Sequence, residues 1–372
     1  MWIAYCRPYD TTGRRSAQTT KGDQELDKVR FGIIGCGVIS PWHGRGVTNA
    51  EDAELVACCD IIKERAEKLA ADFSIPRVYT DYHEMLACDD IDAVCVCTPS
   101  GLHGQVAIDA ARAGKHVMCE KPIEITLPKI DEMIKACRDS EVKLAVIFQR
   151  RTSEMFHKIK DVLDRGLLGK IVLGDAYLKY YRSQEYYDSG DWRGTWELDG
   201  GGALMNQGVH MVDILRWLMG PIETIYAQSG HLVRSIEVED TACAVIKYAS
   251  GAYGILQGTT SVKGMQHRLE IHGENGTILV EGEKIVKWDV PGCEEDQCGA
   301  EANGGVDISS GTSASKPTAI ATEGHQIQIQ DLCRAIIEGR EPMVGGEEAR
   351  KAVEVILAIY ESAKTGMPVR LA

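Results

Sequence analysis

The chain of 372 residues carries 55 acidic and 41 basic side chains, a net charge of −14, and is 44% hydrophobic. Such an excess of acid argues against nucleic acid as a partner, which needs clustered Lys and Arg, but admits an anionic small molecule held by a few local cations. No apolar run reaches the roughly 18 residues that cross a membrane, and the length suits two or three domains.

Residues 1–28 are polar and irregular. Arg14-Arg15 is followed by no hydrophobic stretch, so a twin-arginine export signal is rejected and a disordered or partner-docking tail is expected. From Val29 to Phe148 short apolar runs alternate with helical spacing. Val29–Ile34, Leu55–Cys59, Ala93–Cys97, His116–Cys119 and Lys143–Phe148 read as strands buried on both faces. Lys63–Phe73, Tyr82–Leu86, Gly104–Ala113 and Lys129–Arg138 read as helices between them. The alternation predicts an α/β fold with a doubly wound parallel sheet, a Rossmann domain over residues 29–148.

The texture changes after residue 148. Thr152–Arg165 and Ala203–Met219 read as helices, the second closed by Gly220-Pro221. Lys170–Tyr181, Ile222–Gln228, Thr241–Tyr248, Ala252–Gly258, His267–Ile271, Gly276–Val280 and Lys284–Trp288 read as strands, with hairpin turns at Gly251 and Asn275-Gly276. Residues 291–322, rich in Gly, Ser, Ala and acid, read as a surface loop. Helices Gln326–Glu338 and Glu347–Thr365 finish the chain, the last near the domain junction. Residues 149–372 are thus expected to form an α+β domain with a mostly antiparallel, open-faced sheet. Its uncovered face predicts a homodimer or homotetramer.

The 13 cysteines are odd in number, and many lie in apolar runs. Free thiols in a reducing cytoplasm fit best. Cys293 and Cys298 are the nearest thing to a metal or redox pair, but no zinc-ligand spacing surrounds them and no metal is expected.

The cofactor signal is Gly35-Cys-Gly37-Val38-Ile39-Ser40 after the first strand. The first glycine makes a tight turn, and the second lets the backbone approach a pyrophosphate at a helix N-terminus. Asp60, ending the next strand, can accept from both ribose hydroxyls and repels a 2′-phosphate, which predicts NAD rather than NADP. Thr98-Pro99, Glu120-Lys121 and Gln149 follow later strands and should line the same crevice; His103 reads equally well as a crevice residue or a helix cap. Lys121 precedes Pro122, and Asn206, His210 and Asp213 stand at i, i+4 and i+7 of one helix. A lysine and a histidine facing one pocket can move a proton while a hydride leaves.

These motifs in this order resemble the glucose–fructose oxidoreductase / inositol dehydrogenase family (Gfo/Idh/MocA) from about Val29 to the C-terminus. The residues that carry it are Gly35-x-Gly37, Thr98-Pro99-x-x-x-His103, Glu120-Lys121-Pro122 and Gly200-Gly-Gly-x-Leu-x-Asn206-x-Gly-x-His210-x-x-Asp213. The resemblance implies that Lys121 and His210 flank the substrate carbinol and that the Lys121-Pro122 bond is cis. Many members carry aspartate where this chain has Asn206, which moves the expected substrate from inositol toward the C3 hydroxyl of a pyranose, such as a glycoside or UDP-sugar acid, oxidised to a 3-keto sugar. In the expected mechanism His210 takes the hydroxyl proton and Lys121 hydrogen-bonds the developing alkoxide, though the two roles can be exchanged. Asn206 orients a hydroxyl. Asp213 either biases the His210 tautomer or is an ordinary helix carboxylate.

Arg151, Tyr180, Tyr181, Arg182, Tyr187, Trp192 and Arg193 flank the catalytic helix and are the substrate-facing candidates, with His325 a further one. Arginine would pair with a carboxylate or phosphate and the aromatics would stack on a sugar face. Two other readings compete. An NAD-dependent glycosidase using transient C3 oxidation and elimination would need an extra base from Tyr180, Tyr181 or Tyr187; a non-catalytic NAD-binding regulator would not need Lys121 and His210.

Overall fold

Two sheets organise the computed structural model, which describes residues 28–292 and 323–371. The expected tail, the Gly- and Ser-rich loop from residue 293, Cys293 and Cys298 lie outside the described residues. The first sheet is built by β1 (Val29–Ile34), α1 (Ser40–Asn49), β2 (Ala53–Cys59), α2 (Lys63–Phe73), β3 (Arg77–Tyr79), α3 (Tyr82–Leu86), β4 (Ala93–Val96), α4 (His103–Arg112), β5 (His116–Cys119), α5 (Leu127–Asp139) and β6 (Leu144–Val146). Its strands run in the order β3-β2-β1-β4-β5-β6, and every pair is parallel. Every residue of β4 is buried, as a strand covered on both faces must be. β3 has three half-exposed or exposed residues and no buried one, so it leaves no apolar run to read.

The chain then forms α6 (Glu154–Asp164), β7 (Ile171–Lys179) and α7 (Gln184–Asp188). A π-helical turn, Ala203–Gly208, leads directly into α8 (Val209–Met219). β8 (Ile222–Gly230), β9 (Thr241–Tyr248), β10 (Tyr253–Thr259), β11 (Arg268–Gly273), β12 (Thr277–Glu281) and β13 (Lys284–Asp289) follow. After the undescribed residues 293–322 come α9 (Glu323–Glu338), α10 (Gly346–Thr365) and β14 (Val369–Arg370). The second sheet runs β13-β12-β11-β7-β10-β9-β8-β14, antiparallel except where β7 meets β10. α8 and α10 cover one face. On the other, Tyr226, Val245 and Ile255 stand in one cross-strand row, all exposed.

α9 departs from expectation. Residues 149–372 were read as one domain, yet Ile329, Leu332 and Cys333 of α9 share an apolar cluster with Phe31, Ile33 and Cys95 of the first sheet. Gln328 Nε2 also donates to Val146 O at 3.1 Å. An apolar stripe shows which face of a helix is buried but not what it is buried against. α10 touches α5, α8 and β8, and so does bridge the two halves.

Candidate active site

The crevice opens at the carboxyl ends of β1, β4, β5 and β6. Gly35 turns with φ +91°, and a Cβ there would sit 2.7 Å from Cys97 O, so only glycine passes between the β1 and β4 turns. A Cβ on Gly37 would meet nothing within 4 Å, and Val38 beside it is exposed. That leaves open space at the N-terminus of α1, whose first turn holds no acidic residue to oppose an anion. Asp60 ties the turn down. Its Oδ2 accepts from Cys36 N at 2.7 Å and its Oδ1 from Ile62 N at 2.8 Å. Two buried polar atoms of the crevice loops, Thr98 Oγ1 and Gln149 Oε1, have no hydrogen-bond partner among the described residues. The open glycine turn, the buried carboxylate and these orphaned atoms fit a dinucleotide.

His103 caps the short 3₁₀ turn Ser100–Leu102 and opens α4, and its ring is not free to reach into the crevice. It is buried, with ring nitrogens 2.8 Å from Pro122 O and 2.9 Å from Thr98 O, so it braces two of the crevice loops against each other. Glu120 is similarly occupied. Its Oε1 lies 2.8 Å from His43 Nε2 and 3.4 Å from His325 Nε2, and its Oε2 accepts from Lys121 N at 3.1 Å. His325, offered as a substrate residue, therefore backs Glu120 from α9.

The Lys121-Pro122 bond is cis. Lys121 Nζ donates to the backbone carbonyl of Asn206 at 2.9 Å. That carbonyl belongs to the π-helical turn, whose wider winding displaces carbonyls from α-helical pairing, a feature common at functional sites. The turn is entered through Gly202, where a Cβ would lie 2.0 Å from Glu239 O, and is held by Glu239, which accepts from Gly202 N at 2.9 Å and Leu204 N at 2.8 Å. Burial pushes the Lys121 ammonium below its usual range; Arg182 and Arg193 push the same way, against Glu120 and Asp199. Burial likewise pushes His210 well down, helped by Lys121 and Arg150, so its ring is neutral at pH 7. His210 stands edge-on to Phe148 with ring centroids 5.7 Å apart, and its Nδ1 has no partner among the described residues.

Asp213 does not orient that ring. Arg151 Nε and Nη2 hold its two oxygens at 2.6 and 2.7 Å. Arg151 is thereby removed from the substrate list: its guanidinium also reaches Glu348 at 3.0 Å and covers the Trp217 ring at 4.5 Å, all behind α8. Arg182 and Arg193 do lie within electrostatic reach of Lys121. Arg182 Nη2 donates to Gln207 Oε1 at 2.6 Å, and Arg193 lies over the rings of Tyr186 and Trp192. Tyr180 is buried against His267, and burial pushes its hydroxyl up to about 12. Tyr187 is buried too, donates to Thr260 Oγ1 at 3.0 Å and is pushed up to about 12. Tyr181 lies beneath Lys263 and Arg234. The sequence reading missed Arg150, Tyr186, Asp199 and Gln207. Only Asp199 left a local signal, as the acid that opens Asp-Gly-Gly-Gly.

A dinucleotide crevice with a lysine and a neutral histidine at its open end is the layout of a dehydrogenase acting on a CH–OH group. Comparison with known proteins agrees. Residues 29–148 match the oxidoreductase family with an NAD-binding Rossmann fold, and residues 156–279 match the GFO/IDH/MocA C-terminal domain. The chain is 30% identical to myo-inositol 2-dehydrogenase of Thermotoga maritima over 268 residues, 68% of this chain and 75% of that one. It is 28% identical to the NAD-dependent scyllo-inositol 2-dehydrogenase of Bacillus subtilis, covering 92% of this chain and 96% of that one. The WlbA dehydrogenase of Bordetella pertussis, solved with NADH and UDP-GlcNAcA, superposes with a TM-score of 0.83 at 33% identity over 93% of this chain and 98% of that one. The chain belongs to the GFO/IDH/MocA family of NAD-binding sugar and inositol dehydrogenases, and NAD is its cofactor. No helix among the described residues is long and apolar enough to cross a membrane.

Proposed function

We propose that this enzyme oxidises the C3 hydroxyl of a pyranose derivative bearing an anionic group, with a UDP-sugar acid the best-fitting class. The observation that carries the reading is Lys121 Nζ set on the Asn206 carbonyl beside a neutral His210, with Arg182 and Arg193 near the lysine. Those guanidiniums suit a carboxylate or phosphate far better than an uncharged inositol. The Bordetella relative, with UDP-GlcNAcA bound, supports the same class.

Gly35, Gly37, Val38, Ile39, Asp60, Thr98, Pro99 and Gln149 would hold NAD, which when bound supplies the hydride acceptor. His210, neutral at pH 7, accepts the hydroxyl proton. Lys121 donates to the oxygen as negative charge grows on it, an interaction stronger in the transition state than in the ground state. Arg182 and Arg193 orient the anionic group, and Trp192 presents an aromatic face to the sugar.

For the elimination mechanism of a glycosidase, Tyr180 and Tyr187, pushed up to about 12, are poor bases at neutral pH, which leaves Tyr181, beneath Lys263 and Arg234, as its one named base. NAD reduction measured over UDP-sugar acids, glycosides, free sugars and inositols tests the reading. NADH should accumulate one-for-one with a ketone that mass spectrometry places at C3 of an acidic sugar. Turnover with inositols alone would overturn it.

The described cysteines are all free and mostly buried, which suits a reducing cytoplasm. The exposed row Tyr226–Val245–Ile255, continued by Tyr253 and Leu173, is an apolar strip that a second copy would cover. Light scattering at micromolar concentration should return the mass of a dimer or tetramer; a 40.8 kDa particle would refute it.

A further inference from the structure

Behind Asn206 stands a carboxylate with no part in the mechanism above. Asp199 is 1% exposed. Its Oδ2 accepts from Gly194 N at 2.8 Å, and its Oδ1 accepts from Asn206 Nδ2. A carboxylate at neutral pH only accepts, so the Asn206 amide must turn its nitrogen toward Asp199 and its oxygen away. That oxygen accepts from Gln207 Nε2 at 3.0 Å, and Gln207 is itself gripped by Arg182. The side chain of Asn206 is therefore clamped at both ends, while its backbone carbonyl carries Lys121. We propose that Asp199 is a positioning residue of this active site, holding Lys121 through Asn206 and supplying the negative charge that faces it.

The surrounding charges give this a direction. Lys121 faces Glu120 at its own strand end, Asp199 and Arg193 from the loop before the π-helical turn, Arg182 from the segment after β7, and His210 from α8. Two carboxylates thus oppose two guanidiniums around one ammonium. Removing Asp199 leaves Glu120 alone against both arginines, and Glu120 is already shared between His43 and His325. Asp199 is itself pushed up to about 6 by burial, against the Gly194 N–H, Asn206, Arg193 and Lys121, so it is an anion at neutral pH. Asn206 cannot carry charge. The helix position nearest the lysine is uncharged in this chain, and the carboxylate sits one hydrogen bond behind it.

The proposal rests on Lys121 acting at the reacting centre, so the experiment separates the two claims. The pH profile of kcat/KM is measured for the wild-type enzyme, Lys121→Met, Asp199→Asn and the double variant Asp199→Asn/Asn206→Asp. A limb that vanishes in Lys121→Met belongs to Lys121; if no limb does, the reading of Lys121 fails. In Asp199→Asn that limb should move to lower pH by about one unit, with NAD affinity unchanged. The double variant, which returns a carboxylate to the lysine's side, should restore the limb toward its wild-type position. A limb that stays put in Asp199→Asn overturns the proposal while leaving Lys121 intact, as does a double variant displaced like the single one. Should Asp199→Asn fail to fold, the double variant carries the test: a wild-type limb supports the proposal and a displaced limb overturns it.

Discussion

Lys121→Met is expected to lower kcat by about 10²–10³-fold, the usual loss when a donor to a developing oxyanion is removed, while the Kd for NAD barely changes. Methionine keeps most of the apolar stem, so the packing beside Pro122 survives and only the ammonium is lost. The comparison needs saturating substrate, so that kcat rather than binding is read, together with a fluorescence titration of NAD. A kcat within about threefold of wild type would place Lys121 away from the reacting oxygen. The sign of the pH dependence follows from the depressed pKa. A cationic donor is present below its pKa and is lost as pH rises through it. Activity in the forward direction should therefore begin to fall at a lower pH than an ordinary lysine would allow.

Arg151→Ala should destabilise the fold by about 3–5 kcal/mol, the cost of leaving one member of a buried ion pair without its partner. The Arg151 and Asp213 side chains are 7% and 2% exposed, and both Asp213 oxygens are held by Arg151. Glu348 and the Trp217 ring lose a contact in the same step. Urea unfolding should show the loss in its midpoint. The KM for substrate of the surviving folded enzyme should stay near wild type. A large rise in KM with normal stability would return Arg151 to the substrate pocket, where its sequence position first placed it.

That misplacement shows where a sequence stops being legible. Arg151 lies two residues beyond Gln149, at the end of a strand that opens on the crevice, so proximity in the chain suggested proximity to the ligand. The short 3₁₀ turn Gln149–Thr152 instead carries it beneath α8. The turn is set by tertiary packing and has no period to detect. Of the two readings of Asp213, the buried pair with Arg151 favours the ordinary helix carboxylate. Counting i, i+4 and i+7 assumes an α-helix throughout, whereas Ala203–Gly208 winds as π and shifts Asn206 out of phase with His210 and Asp213. The strands of the first sheet were readable because burial on both faces writes a continuous apolar run. The glycine turn was readable because Gly35 is forced by a backbone approach of 2.7 Å. Asp199 was not readable as a site residue: it meets Asn206 through a loop, and nothing in the spacing of Asp-Gly-Gly-Gly says which way the acid faces.

The return of α9 to the first sheet bears on how the molecule is made. Phe31 and Ile33 leave the ribosome early, but the cluster they join is completed by Ile329, Leu332 and Cys333. The first sheet therefore completes this cluster only with a helix that follows the whole second sheet in the chain. Contacts so far apart in the chain raise the contact order, which on general grounds slows folding. Docking α9 also brings His325 onto Glu120, next to Lys121. One helix thus both closes the apolar cluster of the first sheet and finishes the wall behind Lys121, so a change that loosens α9 would reach the cofactor fold and the crevice together.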